Sequence, residues 1–216
     1  MMELPLFPLN TVLFPTMPLK LHIFEDRYKL MINECIEAQK PFGVVLIESG
    51  EEALGALAQP HLIGTTAYIT QVQKLPFGRM NILAIGKDRF RINSLHHDKP
   101  YLWGRVDLVP FIQDNAQQAQ AQHHALRPLI KHYLTSLSES GFQFDESQLP
   151  DEPFALGCLA AIVLQAEAEK KQDILEAVTQ TRFLGKLVRL YKREVALLDV
   201  LMSPPKTDDD SPFSSN

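Results

Sequence analysis

The chain is 216 residues long, 45% hydrophobic and 22% charged, with a formal net charge of −5. That is the composition of a globular protein with one large domain or two small ones, able to bury roughly 70% of its unfolded surface. It excludes the strongly basic surface that holds nucleic acid or anionic lipid, and no apolar run approaches the roughly 18 residues of a membrane span.

The N-terminus has neither a basic leader nor a small-residue cleavage site, so a cytoplasmic location is expected. The stretch "PLFPLNTVLFPTMPLKLHIFEDRY" (residues 5–28) sets Pro5, Pro8, Pro15 and Pro18 among strand-forming residues. Proline removes a ladder donor, so each should sit at a strand start, an edge or a turn. Leu19, Leu21 and Ile23 then alternate with Lys20, His22 and Phe24, the period of a half-buried strand. A helix follows over residues 25–39, with Tyr28, Met31, Ile32, Cys35 and Ile36 on one face and acidic residues in its first turn. "FGVVLI" (42–47) fits a buried strand, and residues 62–75 and 79–92 fit two more, flanking "LPFG". There Pro76 suits the first corner of a type I turn and Gly78 a left-handed position. A last strand over residues 101–111 stops at Pro110. Several strands around one short helix predict a closed or nearly closed barrel.

From residue 112 the composition turns helical. Residues 112–141 are rich in Gln and Ala. A helix on Phe154, Leu156, Leu159, Ile162 and Val163 is expected to run to about Ala168, with one or two more turns at "KKQDILEAV". "TRFLGKLVRLYKREVALLDVLM" places Leu184, Leu187, Val188, Tyr191, Val195, Leu198 and Met202 on one stripe. The cations Arg182, Lys186, Arg189, Lys192 and Arg193 fall mainly on the opposite, solvated face. Residues 203–216 carry too few apolar groups to order and are expected to be a disordered tail.

Signatures of catalysis are missing. No phosphate-binding loop, H-E-x-x-H, C-x-x-C or G-x-S-x-G occurs. His124 and His132 stand about 12 Å apart along a helix, too far for one metal, and the histidines read as surface residues. Cys35 and Cys158 read as buried free thiols of a reducing compartment, with a disulfide or a reactive thiol as the alternative. Glu51–Glu52 lies in a loop-like segment without an apolar pocket. No cofactor, metal or catalytic residue is called for.

The opening motif "LPLFPLNTVLFPTMPLKLHIFEDRYKLM", the G-x-x-R-F-x-I stretch (Gly86, Arg89, Phe90, Ile92) and the K-Q-x-x-L-E stretch (Lys171, Gln172, Leu175, Glu176) together resemble the Lon substrate-binding domain. That is the N-terminal domain of ATP-dependent Lon proteases, found also in cereblon and in stand-alone bacterial proteins. The likeness covers about residues 3–202. It implies an α+β fold: a PUA-like β-barrel with a short inserted helix over residues 1–113, then an α-helical half over 114–202. Under that likeness Pro8, Phe14, Pro15, Phe24, Glu25, Arg27, Tyr28, Gly86, Arg89 and Phe90 specify the fold. Phe7, Phe14 and Phe24 are expected to supply large apolar contacts, and Glu25 and Arg27 to pair. The ATPase and Ser–Lys peptidase modules of Lon proteases have no counterpart in these 216 residues, so neither activity carries over. What the resemblance implies is a non-enzymatic module that binds unfolded or exposed polypeptide segments, with an adaptor role in protein quality control. The rival readings are a PUA-like barrel that binds RNA, for which the barrel half lacks clustered Lys and Arg, and one that binds a small molecule. Relatives usually carry an acidic or polar residue where this chain has Phe77. Phe77, with Met80 beside it, is the candidate peptide contact, the alternative being that the ring folds back onto the barrel or the helical half and packs there.

Overall fold

Strand β1 (Met2–Leu9) changes neighbours halfway along its length. Residues 2–5 pair antiparallel with β7 (Trp103–Leu108), and residues 6–9 pair parallel with β3 (Phe42–Ser49). Leu6 donates its N–H to the Leu102 carbonyl at 2.8 Å, on the β7 side. Backbone donors alternate along a strand, so the Pro8 nitrogen faces the β7 side after that pairing has ended. The Pro5 nitrogen faces the β3 side before that pairing begins. Neither proline breaks a ladder bond. This corrects the expectation that each proline sits at a strand start, an edge or a turn: Pro5 and Pro8 mark an exchange of partners inside one strand. Pro18 does open a strand, β2 (Pro18–Ile23).

The computed structural model describes residues 1–49, 59–138 and 149–202. Glu51–Glu52 and the tail expected to be disordered, residues 203–216, lie outside the described residues. The strand order is β1–β7–β6–β5–β3, with β3 returning to β1 to close a barrel; β6 spans Met80–His96 and β5 spans Ile63–Lys74. Strand β2 adds to β6, and the short β4 (Gln59–Pro60) adds to β3. Helix α1 (Asp26–Ala38) buries Tyr28, Met31, Ile32 and Cys35 against Leu19, Ile23, Met80, Ile82 and Ala84. Full burial of side chains of this size stabilises by about 1.5–3 kcal/mol each.

The remaining elements are helical: α2 (Ala116–Ser138), α3 (Pro153–Val163), α4 (Ala168–Leu175) and α5 (Gln180–Met202). Helix α3 stops at Val163, short of the expected Ala168. Leu164 turns extended, and the next amide, Gln165, donates to the Tyr133 hydroxyl at 3.0 Å. On α5 the stripe is buried at Leu184, Leu187 and Tyr191, and the Tyr191 hydroxyl donates to the Ala160 carbonyl at 2.9 Å. Among the described residues no helix is long and apolar enough to cross a membrane.

Candidate functional site

Beyond Ala67, the last residue of β5 paired with β3, the β5–β6 hairpin projects from the closed barrel. Its base is widened by β2, which runs along residues 80–85 of β6. This three-stranded wing has two edges, at β2 and at residues 68–74 of β5, that pair with no further strand among the described residues. Across one face His22 contacts Asn81 at 2.7 Å, and Asn81 donates to Gln73 at 3.0 Å. A shallow groove of about 530 Å³ lies over Leu21, Gln71, Val72 and Leu83.

The tip departs from the expected type I turn. Phe77 (φ 62°, ψ 31°) and Gly78 (φ 70°) are both left-handed, and Arg79 donates its N–H to the Pro76 carbonyl at 3.4 Å. Two successive left-handed residues form a primed turn, whose twist matches that of the flanking strands, where a type I turn would splay them. Glycine takes this conformation freely; for a side-chain-bearing residue it costs roughly 1–2 kcal/mol. The Phe77 ring is 88% exposed, with the Arg79 guanidinium 5.9 Å from its centroid. Lys29 of α1 donates to the Phe77 carbonyl at 3.5 Å.

Met80 does not join Phe77. It is 3% exposed, opposite Ile23, and strand alternation sets it with Ile82 and Ala84 in the core beneath α1. Phe24 is also corrected. It shares its side of the chain with His22, on whose ring it lies at 5.9 Å, and it is 59% exposed rather than a core contact.

The other motif residues lie in or against the core. Pro8, Phe14, Pro15, Tyr28, Gly86 and Phe90 are buried. Tyr28 stacks on Phe7 at 4.0 Å, Glu25 accepts from Arg27 at 2.8 Å, and the Arg27 guanidinium lies 4.4 Å from the Tyr28 centroid. Gly86 bonds the loop before β2 from both of its backbone groups, to Met17 and Thr16, and a Cβ there would overlap the Phe14 carbonyl oxygen.

Arg89 joins the two halves. Its Nε donates to the Val109 carbonyl at 2.7 Å and its Nη1 to the carbonyls of Leu175, at 2.8 Å, and Ala177. Nη2 donates to Pro110 at 3.4 Å, and the guanidinium lies 3.9 Å from the Phe111 centroid. Burial, and then the like charge of Arg91, lower its pKa to about 10, so it stays charged at neutral pH. The carbonyls at the C-terminal end of α4 suit a cation. The K-Q-x-x-L-E stretch completes the dock. Gln172 donates to the Ile63 carbonyl at 3.0 Å and to Glu176 at 2.9 Å, Leu175 is buried, and His61 lies 3.4 Å from Glu176.

His123 is buried rather than a surface residue, with its Nε2 3.4 Å from the Pro150 carbonyl. Burial pushes the free thiols of Cys35 and Cys158 up to about 11 and about 12, which leaves little reactive thiolate near neutral pH.

The closed barrel, its projecting hairpin and the helices pinned beneath it define a mixed barrel-and-helix module. Residues 3–193 match the ATP-dependent protease La (LON) substrate-binding domain, and the chain belongs to that family. Lon protease 2 of Herpetosiphon aurantiacus is 26% identical over 204 residues, which cover 92% of this chain and 25% of that protein. Lon protease of Flavobacterium johnsoniae is 34% identical over 108 residues, covering 50% of this chain and 13% of that protein. At its widest the match spans about a quarter of the length of these Lon proteases. Among solved structures, a Lon N-terminal domain protein from Xanthomonas campestris shares the fold with a TM-score of 0.67 at 24% identity, over 88% of this chain and 98% of that one. The N-terminal domain of a Mycobacterium avium complex Lon protease gives 0.68 at 18% identity, with the same coverage.

Proposed function

We propose that this chain is a polypeptide-recognition module that uses the wing, with Phe77 as its aromatic anchor, and that it serves as an adaptor in protein quality control. Membership of a substrate-binding family supports the class of function. The observation that carries the site is Phe77, a large apolar ring 88% exposed on a left-handed backbone. A protein has no packing reason to hold a bulky residue in that conformation at a solvent-facing tip. Aromatic anchors dominate many interfaces, often at about 2 kcal/mol or more when truncated. The open wing edges offer backbone groups to an extended client strand, and alternate side chains of that strand would meet the groove. Recognition is the whole of this reading: ATP hydrolysis and peptide-bond cleavage form no part of it.

The test is an anisotropy titration of a labelled, permanently unfolded protein with the wild type and with Phe77→Asn. Asn tolerates the left-handed position and precedes Gly78, the pair that primed turns favour, so the variant removes the ring and keeps the turn. Affinity should fall more than about tenfold, equivalent to about 1.4 kcal/mol. Equal affinity of the two proteins would overturn the assignment of Phe77.

A further inference from the structure

Where the barrel meets the helices lies a cleft of about 360 Å³, within the roughly 300–1,000 Å³ range of ligand sites. Pro15, Leu108, Phe111 and Phe154 form its apolar walls, and Leu108 is 50% exposed. Arg89 lines it as well, although that side chain is 94% out of solvent, its residue being 6% exposed. Four carbonyl oxygens accept from the guanidinium, and no carboxylate among the described residues pairs with it. A guanidinium has five N–H donors, so one is left without an acceptor there. Carbonyl dipoles solvate a buried cation but do not neutralise it, and buried charges are ordinarily paired. Lys87 and Asp88 share the cleft, so its ionisable groups sum to one positive charge.

We propose that this cleft is a second recognition site, which takes the free C-terminal carboxylate of a polypeptide together with its apolar last side chain. The inference rests on the polypeptide-recognition reading but uses a different surface. Charge complementarity calls for a carboxylate, and the placement of the apolar walls selects its source. The Phe111 ring lies 3.9 Å from the guanidinium, so the apolar wall and the cation stand side by side and suit a carboxylate and an apolar group carried by one residue. A terminal residue carries both on a single Cα. An internal Asp or Glu would bring its charge on its own side chain and need a second residue to fill the walls. Gln180 lines both this cleft and a neighbouring one of about 450 Å³ that also holds Gln113 and Gln120. Carboxamides both donate and accept, which suits the backbone of the residues preceding the terminus.

The experiment compares two short Gly/Ser peptides ending in leucine, one a free acid and one a carboxamide, by calorimetric titration into the intact protein. Because only the ligand changes, the comparison is independent of folding. The free acid should bind at least about tenfold tighter, as expected for a charge-assisted bond to a desolvated cation. Lys87→Glu, an exposed rim change, should remove most of that difference, whereas Phe77→Asn should leave it intact. Equal binding of acid and amide, or no saturable binding of either, overturns the cleft assignment. If the unfolded protein still binds at the wing, recognition there stands alone; if it also fails to bind, the proposed function falls with it.

Discussion

The wing and the barrel–helix junction lie along the same strand, β6, yet they use its residues in opposite ways. At the junction Arg89 is buried and contacts four carbonyls from two segments distant in sequence, with Gln172 and Leu175 closing the dock from α4. At the wing β6 is the central strand, flanked by β2 and β5 whose outer edges pair with no further strand among the described residues, and the turn leading into it carries Phe77, which is 88% exposed. The difference separates holding from presenting. At the junction most donors are spent on carbonyls within the chain, whereas the wing leaves strand edges and an apolar ring exposed.

Four substitutions sharpen that contrast, in descending order of effect. Arg89→Met removes the donor from four carbonyls, and stability should fall by about 3 kcal/mol or more, seen as a Tm drop of roughly 6–12 °C. Gly86→Ala drives a Cβ into the Phe14 carbonyl and should cost about 1–3 kcal/mol in urea unfolding. Phe77→Asn, for all its expected effect on binding, should not lower stability in a thermal melt, and relief of the left-handed strain should raise it by up to about 1 kcal/mol. A Tm loss as large as that of Gly86→Ala would make the tip part of the scaffold and erase the contrast.

The smallest effect belongs to Asp114. Its carboxylate accepts from the Thr181 N–H at 3.3 Å and from the Thr181 hydroxyl, at the start of α5. The Thr181 side chain is the main cause that lowers its pKa from 3.8 to about 2. A depressed folded pKa gives stability that is present above the unfolded value and is lost as pH falls through the folded one. Wild type should therefore exceed Asp114→Asn in Tm at neutral pH, with the gap closing between pH 3.8 and about 2. A gap that persists unchanged at the acid end would show that the carboxylate charge is not its source.

Much of this architecture is legible in the sequence. Period-two alternation marks β2, and the three-and-four spacing of α5 marks the stripe that buries Leu184, Leu187 and Tyr191. The parallel return of β3 to β1 is not legible, because it joins segments that no local pattern links. The same holds for Arg89. Its motif is visible, but its partners Leu175 and Ala177 lie far along the chain and contribute only carbonyls, which every residue has. At the tip, local turn chemistry suggests Pro76 as a corner, and the twist of the paired strands overrides it. Met80 could have been placed from the sequence: it alternates with Ile82 and Ala84, and parity alone removes it from the surface.

Recognition at the wing is tested most directly by hydrogen exchange in the presence and absence of a saturating, permanently unfolded protein. Amides of residues 68–82 should slow on binding, most at the unpaired edge of β5, while α5 amides around Leu187 stay unchanged. Saturated binding with wing exchange unaltered would contradict the account.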